Sequence, residues 1–182
     1  SNLASIIDAV ERGDIRAEIA VVLADKADAY ALERARENGI PAVPVIYRDY
    51  AERADFERAL LKKLQAHGVT LVVLAGFMRI LSPIFVHAYT GRILNIHPAL
   101  LPSFPGAHAH RDVLAYGVKV SGCTIHFVDE GTDSGPIILQ AAVPVLPEDT
   151  EETLAERVLA EEHRLYPRAI ALCVKGQLRV EG

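Results

Sequence analysis

Two polar side chains able to do chemistry, Asn95 and His97, end a short apolar stretch of the chain. On an extended backbone, side chains two residues apart project to the same side. An amide donor beside an imidazole can stabilise an oxyanion and move a proton. Each residue also has a plainer interpretation, because Asn often ends a strand and a His in a loop is often structural. The pair is therefore a candidate oxyanion site that needs support from other groups.

A third polar group, Asp133, lies in the sequence Thr-Asp-Ser-Gly-Pro at 132–136. These residue types favour turns, so Asp133 can be interpreted as an ordinary turn aspartate. The functional interpretation is that its carboxylate meets His97 across neighbouring strand ends and orients the imidazole. The choice depends on whether the fold brings the two side chains together.

Three further histidines, His108, His110 and His126, raise the question of a metal site. His108 and His110 can present their rings on one face, but no carboxylate or cysteine cluster completes a ligand set, so no metal is expected. His126 either reaches the edge of the candidate site or packs within a strand. Cys123 and Cys173 lie in apolar patterns and are expected to be free thiols, which suits a cytoplasmic protein.

The composition is that of an ordinary globular protein with a single domain over residues 1–182. Apolar residues make up 51% of the chain, charged residues 24%, and the formal net charge is -5. This charge gives no support to binding a polyanion such as DNA or tRNA. The longest apolar runs, such as residues 71–76, are too short to span a bilayer. Neither a nucleic acid nor a membrane is therefore expected as a partner.

Hydrophobic periodicity predicts helices that alternate with short apolar strands. The predicted helices lie at residues 3–13, 28–38, 56–68, from 83 onward, 110–117 and 151–174. The predicted strands lie at residues 18–23, 43–46, 71–75, 92–95, 122–128, 137–145 and 177–180. Such alternation indicates an α/β fold, with a mostly parallel sheet and helices on both faces.

The carboxyl ends of the strands are where such sheets bind ligands. Three segments follow predicted strands in this way, at residues 76–79, 95–97 and 129–133. The candidate residues Asn95, His97 and Asp133 all belong to these segments. We therefore expect the fold to gather them at one edge of the sheet.

The chain begins with Ser1 and Asn2, without a Met, and enters a helix at once. We therefore expect that a first strand and a loop precede residue 1. Exposed amides and the helix dipole at such an N-terminus favour an anion, so Ser1 and Asn2 are candidates for phosphate binding.

Together, these segments resemble the glycinamide ribonucleotide formyltransferases of the folate-dependent formyltransferase superfamily. The similarity covers nearly the whole chain. Its motifs are Ser-Asn-Leu at 1–3, Leu-Ala-Gly-Phe-Met-Arg-Ile-Leu at 74–81, Asn-Ile-His-Pro-Ala-Leu-Leu-Pro at 95–102, Gly-Cys-Thr-Ile-His at 122–126, Asp-Ser-Gly-Pro-Ile at 133–137 and Glu-His at 162–163. Pro98, the Ser-Asn-Leu start and the Glu-His pair narrow the resemblance to this family.

The resemblance implies a Rossmann-like formyltransferase fold and a reaction between two small molecules. The amine of glycinamide ribonucleotide would attack the formyl carbon of 10-formyltetrahydrofolate, the co-substrate. Asn95 and His97 would stabilise the tetrahedral oxyanion, and His97 would help move protons. Asp133 would hold His97 in its working state. The protein is expected to be a monomer or a weak homodimer.

The resemblance also implies two groups of binding residues. Those for glycinamide ribonucleotide are Ser1, Asn2 and Glu162. Those for the folate are Arg53, Met78, Arg79, Ile80, Leu81, Val128, Asp129, Glu130, Gly131 and Asp133. Two features depart from the family pattern. The expected upstream strand and glycine-rich loop are missing, and Leu159 stands where the family often has a polar residue near the phosphate.

Four other functions are possible readings of parts of this pattern. A formyltetrahydrofolate deformylase, the main alternative, shares the Asn, His and Asp set, although Pro98 and the N-terminal helix argue against it. A methionyl-tRNA formyltransferase would carry a C-terminal domain and a basic surface. A non-enzymatic nucleotide-binding module gives no reason for combining Asn95, His97 and Asp133. An NAD dehydrogenase would need a glycine fingerprint after its first strand, which is not present here.

Overall fold

A computed structural model describes residues 2–181 of the chain. The helices are α1 (Asn2–Glu11), α2 (Tyr30–Glu37), α3 (Arg53–Ala66), α4 (Pro83–Ala88), α5 (Ala109–Tyr116) and α6 (Glu151–Val174), with one 3₁₀ turn at Tyr47–Asp49. The strands are β1 (Val22–Ala24), β2 (Ala42–Pro44), β3 (Val72–Val73), β4 (Ile93–His97), β5 (Val120–Phe127) and β6 (Ile137–Pro144). No helix within residues 2–181 combines the length and apolar character needed to cross a membrane.

The strands form two sheets, one of β1 and β2 and one in the order β3-β4-β5-β6. The β1–β2 and β3–β4 pairs are parallel, whereas β4–β5 and β5–β6 are antiparallel. The α/β class is confirmed, but the expectation of a mostly parallel sheet is wrong, because the pairing is mixed. The chain between β5 and β6 forms no helix, and a connection without a crossover helix returns the strand antiparallel.

Helices cover both faces of the larger sheet, as expected, and β4 shows how. Leu94 and Ile96 point into a core cluster shared with α1, α5 and α6. Ile93 points the other way, into a second cluster shared with α3 and α4. Because side chains alternate along a strand, Asn95 and His97 lie on the same face as Ile93.

Two predicted strands are much longer than the observed ones, and a third is absent. The strand predicted at 18–23 is observed at Val22–Ala24, and the one predicted at 71–75 is observed at Val72–Val73. Among residues 2–181, each of these strands is hydrogen-bonded along one side only, to β2 and β4 respectively. The prediction of a strand at 177–180 is wrong, because these residues follow Gly176 without regular secondary structure.

Candidate active site

The antiparallel register of β4 and β5 brings four polar side chains onto one face of the sheet. Asn95 lies directly opposite His126, and His97 lies opposite Thr124. His97 and His126 are both buried. The sequence-predicted pair therefore gains two neighbours that its spacing alone did not reveal.

Asn95 is oriented by His126. The Nδ1 atom of His126 lies 2.9 Å from the Phe127 carbonyl oxygen, and because a carbonyl only accepts, Nδ1 carries the hydrogen. Neutral His126 thus presents an unprotonated Nε2, which accepts from Asn95 Nδ2 at 3.4 Å. This bond fixes the amide orientation of Asn95 and engages one of its two N–H hydrogens.

The structure brings Asp133 to His97, as predicted, and also places it beside His126, which was not predicted. Its Oδ2 lies 3.5 Å from His97 Nδ1, and its Oδ1 lies 3.9 Å from His126 Nε2. The Asp133 side chain is 14% exposed, so its charge acts in a site largely closed to water. Asp133 is a turn residue as well, with a φ of 52°. Asp133 is therefore a turn residue whose carboxylate lies beside both histidines.

The loop that follows His97 is fastened by a network that sequence reasoning missed. The hydroxyl of buried Thr124 donates to the Ala99 carbonyl at 2.8 Å and accepts from the Leu101 amide at 3.0 Å. Gln140 Nε2 donates to the Thr124 hydroxyl and to the Leu101 carbonyl, both at 3.0 Å. The sequence shows only that Thr124 and Gln140 are polar residues within apolar strands. Which groups they bond depends on the register of those strands.

Five of the predicted folate residues come together around one cavity of about 350 Å³. They are Arg53, Met78, Arg79, Ile80 and Leu81. Met78 and Ile80 are exposed apolar side chains, 77% and 59% accessible. The segment is anchored at Ser82, whose amide and hydroxyl both donate to the buried carboxylate of Glu57.

The guanidinium of Arg79 has partners within the protein. Its Nε donates to Asp25 at 2.7 Å, and the group lies 3.5 Å from the centroid of the Tyr47 ring. Arg53, by contrast, is half exposed and lies 3.6 Å from Glu57 Oε2. Arg53 is therefore the more available cation of the two.

The predicted folate loop at 128–131 lies beside α4. Val128 packs against the core cluster of α3 and α4, and Glu130 pairs with His87 of α4. Asp129 accepts from the Gly131 amide at 2.9 Å and from the Ser134 hydroxyl at 2.7 Å. These bonds give the loop a defined shape, although its residues do not belong to the described lining of the 350 Å³ cavity.

Two of the predicted nucleotide residues meet where α1 contacts α6. Glu162 is buried, and its burial raises the pKa of the carboxyl while a hydrogen bond from Asn2 lowers it. The adjacent His163 has a buried Nε2 without a hydrogen-bond partner among residues 2–181, and burial lowers the pKa of His163. Leu159 lies one turn before Glu162 on the same helix. Ser1 lies outside the described residues.

The remaining histidines do not form a metal centre with their neighbours. His108 is exposed, and His110 is half-buried with a lowered pKa, chiefly because of desolvation. No group of three or more His, Cys, Asp or Glu side chains among residues 2–181 is arranged to hold a metal ion.

An α/β fold with a cluster of Asn, His and Asp side chains at the end of a strand can be compared with known protein families. Residues 1–170 match the formyl transferase family, and the chain belongs to that family. The sequence prediction of this superfamily is thereby confirmed.

Particular relatives narrow the comparison. Glycinamide ribonucleotide transformylase 1 from Symbiobacterium toebii has a solved structure that is 55% identical, with a TM-score of 0.98, over 100% of this chain and 85% of that one. Phosphoribosylglycinamide formyltransferase from Escherichia coli strain K12 is 45% identical over 180 residues, covering 99% of this chain and 85% of that protein. The Rossmann-like formyltransferase fold is therefore confirmed.

A longer relative shares the same region. The trifunctional purine biosynthetic protein adenosine-3 of Drosophila melanogaster is 46% identical over 178 residues, which is 97% of this chain. The chain spans only 13% of the length of that protein. The similarity thus concerns one region of the fly protein and most of the bacterial enzymes.

Proposed function

We propose that this protein is an enzyme that transfers the formyl group of 10-formyltetrahydrofolate to the amine of glycinamide ribonucleotide, in de novo purine biosynthesis. The observation that carries the proposal is the convergence of Asn95, His97 and Asp133, with 3.5 Å between His97 Nδ1 and Asp133 Oδ2. Similarity to the glycinamide ribonucleotide formyltransferases over 85% of their length supports this choice of reaction.

The reaction begins when the amine nitrogen attacks the formyl carbon and the carbonyl electron pair moves to oxygen. The second amide hydrogen of Asn95 stabilises that oxyanion, since its first is engaged with His126. The former amine then loses a proton, and the folate N10 leaves with the bonding pair and takes up a proton. His97 carries the proton between these nitrogens, and Asp133 stabilises the imidazolium formed on the way.

The binding roles follow the same geometry. We propose that the folate tail lies along the cavity formed by Arg53, Met78, Ile80 and Leu81, with the 128–131 loop reading the pterin through its backbone. Arg79 acts on the folate by fixing this segment through Asp25 and Tyr47. The nucleotide is held where α1 contacts α6, by Ser1, Asn2 and Glu162.

We propose further that the protein works in the cytoplasm on small molecules, as a monomer or weak homodimer, without a nucleic acid or membrane partner. Two free cysteines, one of them buried, support a reducing compartment. Burial raises the pKa of the Cys123 thiol to about 12, which keeps it unreactive.

We also propose that a strand from a segment preceding residue 1 completes the single domain. A cavity of about 710 Å³ lies between the sheets and is lined by residues of both β1 and β3, including Val22, Leu23, Val72 and Val73. Each of these strands is paired on one side only, and the lining is largely apolar, so the cavity suits a parallel strand. A longer chain that carries such a strand before residue 1 should have a higher melting temperature. An unchanged melting temperature would argue against this strand.

The test of the proposed function is product formation from 10-formyltetrahydrofolate with and without glycinamide ribonucleotide. We expect tetrahydrofolate and formylglycinamide ribonucleotide to form in equal amounts, and only when the amine is present. Turnover of the folate to formate without any amine would instead identify the deformylase. No turnover under either condition would contradict both.

A further inference from the structure

The loop at Phe104–Gly106 contacts both members of the His97–Asp133 pair. The Nε2 atom of His97 donates to the Phe104 carbonyl at 2.7 Å. The Gly106 amide donates to Asp133 Oδ2 at 2.9 Å. That oxygen is also the one that lies 3.5 Å from His97 Nδ1. The loop therefore bonds to the Nε2 atom of His97, which faces away from Asp133, and to the Asp133 oxygen that lies nearest His97.

The bond to Phe104 determines where His97 keeps its hydrogen. A carbonyl oxygen only accepts, so Nε2 is the protonated nitrogen in neutral His97. The nitrogen that faces Asp133, Nδ1, is then the one with a free lone pair.

The backbone at these contacts is in the left-handed region. Phe104 has a φ of 53°, Gly106 of 97° and Asp133 of 52°. Within residues 2–181, Phe104 and Asp133 are the two non-glycine residues with a positive φ. Such conformations are sparsely populated and persist where the surroundings enforce them, which happens most often at functional sites. Here the ring of Phe104 packs edge-on against Tyr116, with centroids 5.9 Å apart.

We infer that the loop at Phe104–Gly106 is a positioning element that fixes the tautomer of His97 and the orientation of Asp133. This inference rests on the proposed formyl transfer for its catalytic meaning. The loop keeps hydrogen on Nε2 and leaves Nδ1 to take up the proton of the attacking amine. Asp133 Oδ2, held by Gly106, then accepts a hydrogen bond from the new Nδ1–H and stabilises the imidazolium. The imidazolium of His97 finally gives the proton to the leaving N10.

The experiment compares Gly106→Ala with Gly117→Ala, a matched control at the end of α5. Both glycines are left-handed, with φ of 97° and 88°, and an added Cβ meets no atom within 4 Å at either. The two variants should therefore be destabilised by similar backbone strain. Gly117 belongs to no part of the proposed site.

The first readout is the ¹⁵N spectrum of histidine-labelled protein, with the His97 signals assigned by their loss in His97→Ala. We expect one bare and one hydrogen-bearing nitrogen in neutral His97, with hydrogen on Nε2. In Gly106→Ala the two signals should move toward averaged values, and in Gly117→Ala they should not. This readout needs no substrate, so it tests the positioning even if formyl transfer fails.

The second readout is the pH dependence of formyl transfer. We expect Gly106→Ala to lower kcat about 10- to 100-fold and to change the pH–rate profile, with KM nearly unchanged, because the reacting groups are misplaced. Gly117→Ala should keep the normal profile. Identical spectra and profiles for the two variants would overturn the inference. If Gly106→Ala does not fold, Tyr116→Ala provides the test instead, because Tyr116 is exposed and its ring packs against Phe104. Unchanged His97 signals in Tyr116→Ala would also overturn the inference.

Discussion

At the scale of single residues, most hydrogen-bond donors of the candidate site already have partners within the protein. Asn95 gives one hydrogen to His126, and His97 gives its Nε2 hydrogen to Phe104. Among residues 2–181, the second Asn95 hydrogen has no partner, and the Nδ1 lone pair of His97 faces Asp133 Oδ2 at 3.5 Å. Fixing the other bonds in advance is how an active site avoids reorganisation during the reaction.

Asp133→Asn separates the charge of this residue from its shape. Asn tolerates the left-handed φ of 52°, so the turn should persist while the carboxylate is lost. We expect a lower kcat and a shifted pH–rate profile, measured by steady-state formyl transfer. Asp55→Asn on the exposed surface of α3 removes an equal charge and should change neither. An unchanged profile for Asp133→Asn would mean that this residue serves the turn alone.

Sequence reasoning reached the chemical residues but not their supports. Asn95 and His97 were predictable because a two-residue spacing on a strand has one geometric meaning. The roles of Thr124 and His126 were not, because they depend on which residue of β5 lies opposite β4. The Phe104 carbonyl was also beyond prediction, since a backbone acceptor in a loop leaves no mark on residue type.

At the scale of elements, Thr124 joins β5 to the loop after His97. Thr124→Val keeps the shape but removes the hydroxyl that bonds Ala99, Leu101 and Gln140. Leaving buried groups unpaired should lower the free energy of unfolding by about 1–3 kcal/mol, measured by urea denaturation. Thr124→Ser, which retains the hydroxyl, should lose clearly less. A Thr124→Val protein as stable as the wild type would contradict this role of the hydroxyl.

The start of α6 is held by an ion pair between Asp149 and Arg157. Both carboxylate oxygens of Asp149 accept from the guanidinium, at 2.7 and 2.8 Å, and this bonding holds the pKa of Asp149 well below its ordinary 3.8. A lowered pKa stabilises the fold above the unfolded value, and that stability is lost as pH falls through the folded one.

Unfolding measured against pH should show this contribution. The wild type should be more stable than Asp149→Asn at neutral pH, and the difference should shrink as pH falls below about 3.8 toward the lower pKa of the folded state. A difference that is constant down to pH 2 would show that the charge of Asp149 does not stabilise α6.

Element boundaries show where local sequence stops being informative. The long helix at Glu151–Val174 was predictable, despite Pro167, from its sustained apolar periodicity. The short extents of β1 and β3 were not, because a strand is defined by its partners and each of these has a partner on one side only. The antiparallel direction of β5 and β6 likewise depends on tertiary pairing rather than on composition.

At the scale of the whole molecule, two core clusters share one central strand, β4. One cluster packs on α1 and α6, where Asn2 meets Glu162, and the other on α3 and α4, beside the Arg53 and Met78 cavity. The end of β4 carries Asn95 and His97 between these two regions. The proposed formyl transfer between two substrates would use this arrangement, with a proposed binding region in each of these two places.

The most direct test of this account is the rate of formyl transfer from 10-formyltetrahydrofolate to glycinamide ribonucleotide by the wild type and by His97→Ala. The account predicts amine-dependent transfer by the wild type and a kcat lower by roughly 10²- to 10⁴-fold in the variant, with an unchanged circular dichroism spectrum. Near-normal transfer by a folded His97→Ala protein would contradict it.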